Sequence, residues 1–446
     1  MIEILSHLRF RRLFFAQVVA LVGTGLATVA LALLAYDLAG ANAGAVLGTA
    51  LAIKMIAYVT LAPVAGALIP PARRKVALIA FDLVRASAAL ALPFVTEIWQ
   101  VYLLIFLLQS ASAGFTPLFQ SLIPEILTEE RDYTRALSLS RLAYDLESLL
   151  SPALAAALLT VISFHGLFAG TSLGFLLSAG LVLSTAFPVM VVSTTTYGPY
   201  QRAIRGMRIY LLTPRLRGLM ALNLAAAAAA SMVFVNTVVI VRVDLAQPES
   251  AVALALACFG AGSIAAAFAL PWLLDRRTDR QVMTGGSLAA VLILILLELT
   301  WARVDMSARW SLLLGGWALL GIAHACIVTP GGRLLRRSAN DASRPALYAA
   351  QFSLSHACWL LTYPLVGWLG ATAGNTTALW AMAGMAALGT LLAWRLWPAH
   401  DPVAIEHAHP ELPAAHPHLA EYEVDANGRH RHEFRIDDFH AHWPER

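Results

Sequence analysis

The sequence predicts an all-α membrane protein of twelve transmembrane helices, arranged as two parallel six-helix repeats, with a polar tail that holds a β-hairpin. Three observations predict it. The 446 residues are 59% hydrophobic and only 13% charged, with mean hydropathy +0.69, whereas a soluble domain carries about 25% charged and 45–50% apolar residues. Twelve apolar runs follow one another up to residue 397, and each bilayer crossing needs about 20 apolar residues. The two halves of that series also echo each other. So large an apolar surplus cannot hide in a water-soluble core, which excludes a soluble enzyme.

The runs fall at 14–36, 44–69, 76–95, 99–123, 141–164, 167–189, 216–241, 251–274, 282–302, 310–330, 346–370 and 377–397. Arg9, Arg11 and Arg12 precede the first run, which is too long for the apolar part of a cleaved signal and has no A-x-A site behind it. It reads as an uncleaved first span. With the N-terminus inside, the inner segments (1–13, 70–75, 124–141, 190–215, 275–281 and 331–345) hold nearly all the connecting Lys and Arg, and the outer loops hold only Arg242, Arg303 and Arg309. The positive-inside rule then puts both termini in the cytoplasm. The longest connection, 190–215, divides a bundle over 1–189 from one over 216–397, and 398–446 is left as a tail. Thr116-Pro117 ends the fourth span and Thr329-Pro330 the tenth, while Pro152 and Pro364 occupy matching places in the fifth and eleventh. Repeats of this kind are how many secondary transporters are built.

Charge follows the same division. Residues 1–397 carry 27 basic and 17 acidic side chains, and the tail carries 4 and 10. Topology accounts for the basic body, so no nucleic-acid partner is implied. Cys258, Cys326 and Cys358 all lie in apolar runs, so no disulfide framework is expected. No phosphate-binding loop occurs, so energy is expected from an ion gradient or from the substrate's own gradient.

Between the second and third spans stands Gly66-Ala-Leu-Ile-Pro70-Pro71-Ala-Arg73-Arg74-Lys75, and its counterpart in the second half is Pro271-Trp-Leu-Leu-Asp275-Arg276-Arg277-Thr-Asp279-Arg280. Both resemble the loop signature G-x-x-x-D-R-x-G-R-R/K of major facilitator superfamily transporters, and the resemblance covers residues 1–397. Pro70 replaces the Asp of the first copy. Ala52-Ile-Lys54-Met-Ile-Ala-Tyr58, the stretch Ser138-Leu-Ser-Arg141-Leu-Ala-Tyr144-Asp145-Leu-Glu147-Ser-Leu-Leu-Ser-Pro152, and the tail ending His440-Ala-His442-Trp443-Pro444 further resemble bacterial nickel-resistance exporters of the NreB type. The resemblance implies alternating access between two halves, latched by Arg73, Arg74, Asp275 and Arg276. It also implies a cavity lined by spans 1, 4, 7 and 10, where Gln17, Thr24, Gln109, Asn223 and Asn236 are compatible polar linings. Proton antiport and a divalent metal ion as cargo, nickel foremost with cobalt or iron as alternatives, follow as expectations. So do a monomer in the bacterial inner membrane and no tightly bound cofactor. An exporter of an organic solute, a drug or siderophore, with an accessory metal-binding tail is the other reading.

The tail carries the plainest chemistry. Nine of the 13 histidines lie there, eight of them in His-x-His pairs: His407/His409, His416/His418, His430/His432 and His440/His442. In extended chain, side chains at i and i+2 share a face about 6.6–7 Å apart at Cα, and imidazole suits nickel, copper, zinc and iron. Ala426-Asn427-Gly428 reads as a three-residue turn joining Tyr422–Val424 to Phe434–Ile436, which would pack His430 and His432 against apolar neighbours. His407, His409, His416 and His418 are then the expected exposed ligands.

Within the membrane, ionisable residues mark functional sites, because burying a charge is costly. Asp145 and Glu147, about 200° apart on a helix, face different ways. Arg141 stands one turn from Asp145 and can neutralise it. Glu147 has no local partner, and Lys54, near mid-span, is expected to pair with Glu147 or Asp145 across two helices. His324-Ala-Cys326 and His356-Ala-Cys358 cannot chelate pairwise on a helix. His324 and His356, with Cys358, are expected transport-site candidates from neighbouring spans. Asp82 and Arg85 read as a structural pair.

Overall fold

A backbone in hydrocarbon must satisfy its own hydrogen bonds, so each apolar run closes into a helix. The structure, a computed structural model, describes residues 2–69, 73–127, 129–186, 199–339, 343–401, 404–408, 429–436, 440 and 442–443; several side chains within helices, those of Arg141, Tyr144 and Asp145 among them, also lie outside the description. The helices are α1 (Leu8–Ala39), α2 (Ala43–Leu68), α3 (Arg74–Ala91), α4 (Ile98–Ile126), α5 (Glu130–Leu158), α6 (Phe164–Leu183), α7 (Pro199–Leu212), α8 (Pro214–Asp244), α9 (Glu249–Arg276), α10 (Asp279–Trp301), α11 (Met306–Val328), α12 (Gly331–Arg337) and α13 (Arg344–Leu396). Among the described residues, nine stretches are long and apolar enough to cross a bilayer. Leu8–Leu61 and Ala346–Leu396 each hold two spans, and α5, whose first half is charged, brings the spanning helices to twelve.

Helix α13 contains the eleventh and twelfth spans. At Gly374 the backbone turns to φ 86°, ψ 161°, a conformation open to glycine and rare for other residues. In the first half α1 packs on α5 and α6, α2 on α4, and α3 on α4 and α6. In the second, α8 packs on α11 and α13, α9 on α11, and α10 on α11 and α13. The halves meet along α2–α13 and α5–α9. Ala225–Ala230 of α8 are all buried, because small residues let helices approach closely where lipid offers no hydrophobic drive.

At the end away from the tail the two halves touch backbone to backbone. Any side chain at Gly367 of α13 would run into the carbonyl oxygen of Gly44 in α2. Asn236, in the first of two π turns of α8 (Met232–Asn236 and Ile240–Asp244), donates to the Val366 carbonyl at 3.4 Å. The Trp368 indole donates to Thr49 Oγ1 at 3.2 Å, and the Arg242 guanidinium lies 5.1 Å from the centre of the Tyr36 ring. The first half has its own knot. Asp82 and Arg85 pair within α3, both buried, Ser178 of α6 donates to Asp82 at 2.8 Å, and the Arg85 guanidinium lies 4.1 Å from the centre of the Phe115 ring and 4.5 Å from that of Phe175.

One expectation needs correction. The fifth helix begins at Glu130, well before the apolar run at 141, because the charged turns ahead of that run continue its helix. The connection 190–215 holds α7, which packs on α13, with Tyr210 hydrogen-bonded to Gln351. The tail sheet pairs β2 (Arg429–Glu433) with β1 (Ala404–Ala408), antiparallel, and the expected strand 422–424 lies outside the described residues. Residues 409–428, including the expected turn and His409, His416 and His418, lie outside the described residues.

Candidate functional site

Two polar clusters stand out, one between the helical halves and one in the tail. In the first, Glu147 projects from α5 against α1, where a β-carbon placed on Gly25 would sit 3.0 Å from its Oε1. Its electrostatic partner is Lys54 of α2. The Lys54 ammonium stands 5.9 Å from the centre of the Tyr58 ring, and Tyr58 stacks on His356 of α13, ring centres 5.6 Å apart and planes 17° apart. A line of contacts thus runs from Lys54 in the first half through Tyr58 to His356 in the second, with Glu147 in electrostatic reach of Lys54. His356 Nδ1 donates to the Phe352 carbonyl at 2.7 Å, so the proton sits on Nδ1 and Nε2 carries the lone pair. The Asp145 side chain lies outside the description.

The second half adds an aromatic wall. His324 of α11 lies 5.6 Å from Phe259 and 6.2 Å from Trp359 by ring centres, and its buried Nδ1 makes no hydrogen bond among the described residues. Phe234 meets Phe259 at 5.3 Å and Trp359 at 6.0 Å, and Trp359 meets Tyr363 at 4.9 Å. Cys358 is buried, and Cys326 faces Gly286 of α10. His356 packs with Tyr58 and Phe352, and His324 with Phe259 and Trp359. The path therefore sets its ionisable groups among rings, and among the described residues no group of three or more ligands gathers there.

The tail cluster is different. In β2 burial alternates, so His430 and His432 share the inner face with Phe434 and Ile436, while Arg429 and Arg431 face outward. His407 of β1 is the direct cross-strand partner of His430. One ligand nitrogen from each of His407, His430 and His432 lies within 4.8 Å of the others, and His440 brings its Nε2 to 3.0 Å from that of His407. Among the described residues this is the one group of three or more His, Cys, Asp or Glu side chains close enough to hold an ion.

The carbonyls around the rings set their tautomers. His407 Nδ1 donates to the Ile405 carbonyl at 3.0 Å and His432 Nδ1 to that of Glu433 at 2.9 Å. Each bond leaves Nε2 as the lone-pair nitrogen, the arrangement that metal-ligating histidines use. Two nitrogens bound at about 2.0–2.1 Å in a tetrahedral site stand about 3.3 Å apart, so the His407–His440 spacing needs little adjustment. Burial, joined by the neighbouring rings of His432, His440 and His430, holds the His407 pKa down at about 4 against the pull of its Ile405 bond. At neutral pH this ring is uncharged and ready to ligate. His442 is exposed.

The tail is fastened to the second half by contacts that the sequence reading missed. Asp401 accepts from the Trp397 indole at 3.3 Å, and its carboxylate lies 3.7 Å from Arg215 at the start of α8 and 3.4 Å from Arg337 of α12. Arg337 also donates to the Asp401 carbonyl at 2.6 Å, and Arg280 of α10 to that of Trp397 at 2.9 Å. Trp443 lies over Arg215, whose guanidinium carbon is 4.9 Å from the ring centre. An acidic residue just past the last helix, facing a rim rich in arginine, was the available signal. Near the expected latch, Arg73, Asp275 and Arg276 are exposed, and Arg276 lies on Trp272. The ion pair at that corner joins Asp279 to Arg333 at 3.3 Å. In the first half Lys75, beside Arg74, donates to the Thr185 carbonyl at 2.9 Å, and Arg12 to that of Ser184.

Comparison with known proteins agrees with this architecture. Among solved structures, the nucleoside transporter NupG superposes with TM-score 0.68 at 14% identity, covering 87% of this chain and 100% of that one. A peptide transporter of the POT type superposes with TM-score 0.67 at 13% identity over 87% and 95% of the two chains. A D-xylose–proton symporter gives 0.62 at 15% over 87% and 96%. Among curated proteins, macrolide efflux protein A of Streptococcus pyogenes is 25% identical over 186 residues, 41% of this chain and 45% of the relative. The chain thus matches less than half the length of that relative. The family model of the Major Facilitator Superfamily matches residues 13–239 and again 219–424. Twelve spanning helices in two halves and a repeated match over both identify the chain as a member of the Major Facilitator Superfamily, a secondary transporter and not an enzyme.

Proposed function

We propose that this transporter exports divalent transition-metal ions, nickel foremost, from the cytoplasm across the bacterial inner membrane, in exchange for protons. The observation that carries the reading is the convergence of His407, His430 and His432, with His440 beside them, on the tail. With both termini cytoplasmic, this centre gathers metal at the inner mouth of the path, where four imidazoles stand together. Glu147, facing Lys54, is the group that takes up and releases the coupling proton. When Glu147 is protonated, Lys54 loses its counter-charge and the contact line through Tyr58 to His356 alters across the interface that alternating access has to rework. His324 and His356 offer the passing ion single imidazole contacts, weak enough to release it. Geometry and supply, more than affinity, then select the metal.

A second reading has its own support. The wall of Phe234, Phe259, Trp359 and Tyr363 suits the flat apolar surface of an organic solute, and the partial relative is a macrolide efflux protein. One experiment separates them: nickel accumulation in everted vesicles carrying the protein, with and without an inside-acid gradient. Gradient-driven accumulation is the expected result. No accumulation of nickel, cobalt or iron, together with gradient-driven uptake of an organic cargo, overturns the metal reading.

A further inference from the structure

The tail centre does not sit loose in solution. The rings of His407 and His440 lie 4.9 and 4.6 Å from that of Phe434, Phe434 meets Trp443 at 5.1 Å, and Trp443 covers the Arg215 guanidinium. Arg215 is buried to 2% exposure, and its Nε and Nη1 make no hydrogen bond among the described residues. What holds its charge is the Asp401 carboxylate and the Trp443 face. An unbroken line of contacts therefore joins the candidate metal ligands to the first turn of α8.

From this we propose that metal loading of the tail centre closes a clamp, Asp401 on Arg215 and Arg337 with Trp443 over Arg215, and that the closed clamp favours shutting the inner end of the transport path. The inference rests on the metal reading of the same histidines. It assigns the tail a switching role beyond capture: rising cytoplasmic metal turns the exporter on.

The direction follows from charge. The tail-side rim of the first half carries Arg9, Arg11, Arg12, Arg73, Arg74 and Lys75, and that of the second carries Arg215, Arg280, Arg333 and Arg337. Bringing the rims together opposes like charges, and Pro70 stands where the first latch would have its acid. Asp279 answers Arg333, and Asp401 answers Arg215 and Arg337. The second acid belongs to the tail. His407 and His440 are 33 residues apart, so one ion on both stabilises the folded tail and not the unfolded one. The bistable element is the tail itself, seated or released.

Coupling of this kind is reciprocal: if metal seats the clamp, breaking the clamp must weaken metal binding by the same factor. The test uses the full-length chain in detergent with Ni2+ as the probe. Nickel affinity is read by calorimetry, and seating by the rate of tryptic cleavage at Arg429, Arg431 and Arg435. In the wild type, Ni2+ is expected to slow cleavage about tenfold. Asp401→Asn and Trp443→Ala, neither removing a ligand, are each expected to weaken nickel binding about tenfold and to lose the protection. Arg337→Gln, at the clamp's half-buried edge, is the control for misfolding and should do the same more mildly. Equal nickel affinity in wild type and all three variants, or a cleavage rate unmoved by Ni2+, overturns the clamp while leaving the metal site standing. Failure of the wild type to bind Ni2+ overturns both.

Discussion

The path between the halves and the tail use the same residue, histidine, to opposite effect. In the path His324 and Cys326 follow each other at i and i+2 on a helix, where that spacing turns partners apart, and His356 with Cys358 repeats the pattern. In the tail His430 and His432 stand at the same spacing on a strand, which turns both to one face, and the cross-strand His407 and the later His440 complete the cluster. Backbone period, more than residue type, decides whether imidazoles chelate. The path thereby keeps single, separable contacts suited to passage, and the tail concentrates them for holding.

Changes in the path should strike coupling and folding first, and changes in the tail metal affinity first. The largest effect is expected from Glu147→Gln, which abolishes gradient-driven flux in vesicles while the purified protein still folds; undiminished flux would remove Glu147 from coupling. Next, Arg85→Leu leaves Asp82 buried with no cation beside it in α3 and should cost about 3–5 kcal/mol, read as a large drop in melting temperature. Replacing Asp82 by Asn in the same variant should recover much of that loss. Gly367→Ala, which forces α13 off Gly44 at the outer end, should cut flux and, by the reciprocal coupling of the clamp to the inner end, leave the tail's nickel affinity no weaker than in the wild type. A fall in affinity would break that coupling.

Within the tail, His430→Ala is expected to weaken nickel binding about 10–100-fold, the range seen when metal-site groups are lost. The His407 pKa, about 4 in the fold against 6.5 unfolded, sets a pH window. Below 6.5 the unfolded tail binds a proton that the folded one refuses, so stability of the metal-free tail is full above 6.5 and drains as pH falls towards 4. Trp443 fluorescence that stays flat across that window would break the burial argument. The smallest effect belongs to Arg429→Ala, which removes an exposed ion pair with Glu406 at 3.5 Å and should leave nickel affinity within about twofold.

Most of the fold was legible because apolar length and the alternation of arginine-rich loops report directly on helices in a bilayer. Pro152 and Pro364 lie inside their helices as the repeat required. The start of α5 and the whole of α7 were not legible from apolar runs, since both are amphipathic or charged. Within the site, Lys54 facing Glu147 could be proposed from their isolation in apolar sequence. The pairing of β2 with 404–408 could not, because nothing in the sequence sets that short stretch apart as a strand partner. Asp401 was visible only as an acid just past the last helix, since its partners Arg215 and Arg337 lie far away in the chain.

The pair Asp82–Arg85 has a consequence for how the molecule moves. Tied to Ser178 on α6 and wedged between Phe115 of α4 and Phe175 of α6, it fastens three helices through contacts for which hydrocarbon offers no substitute. Water cannot slip in to lubricate a shear among them. Those three helices of the first half therefore move as one stiff body, against which any shift along the α2–α13 contact has to work.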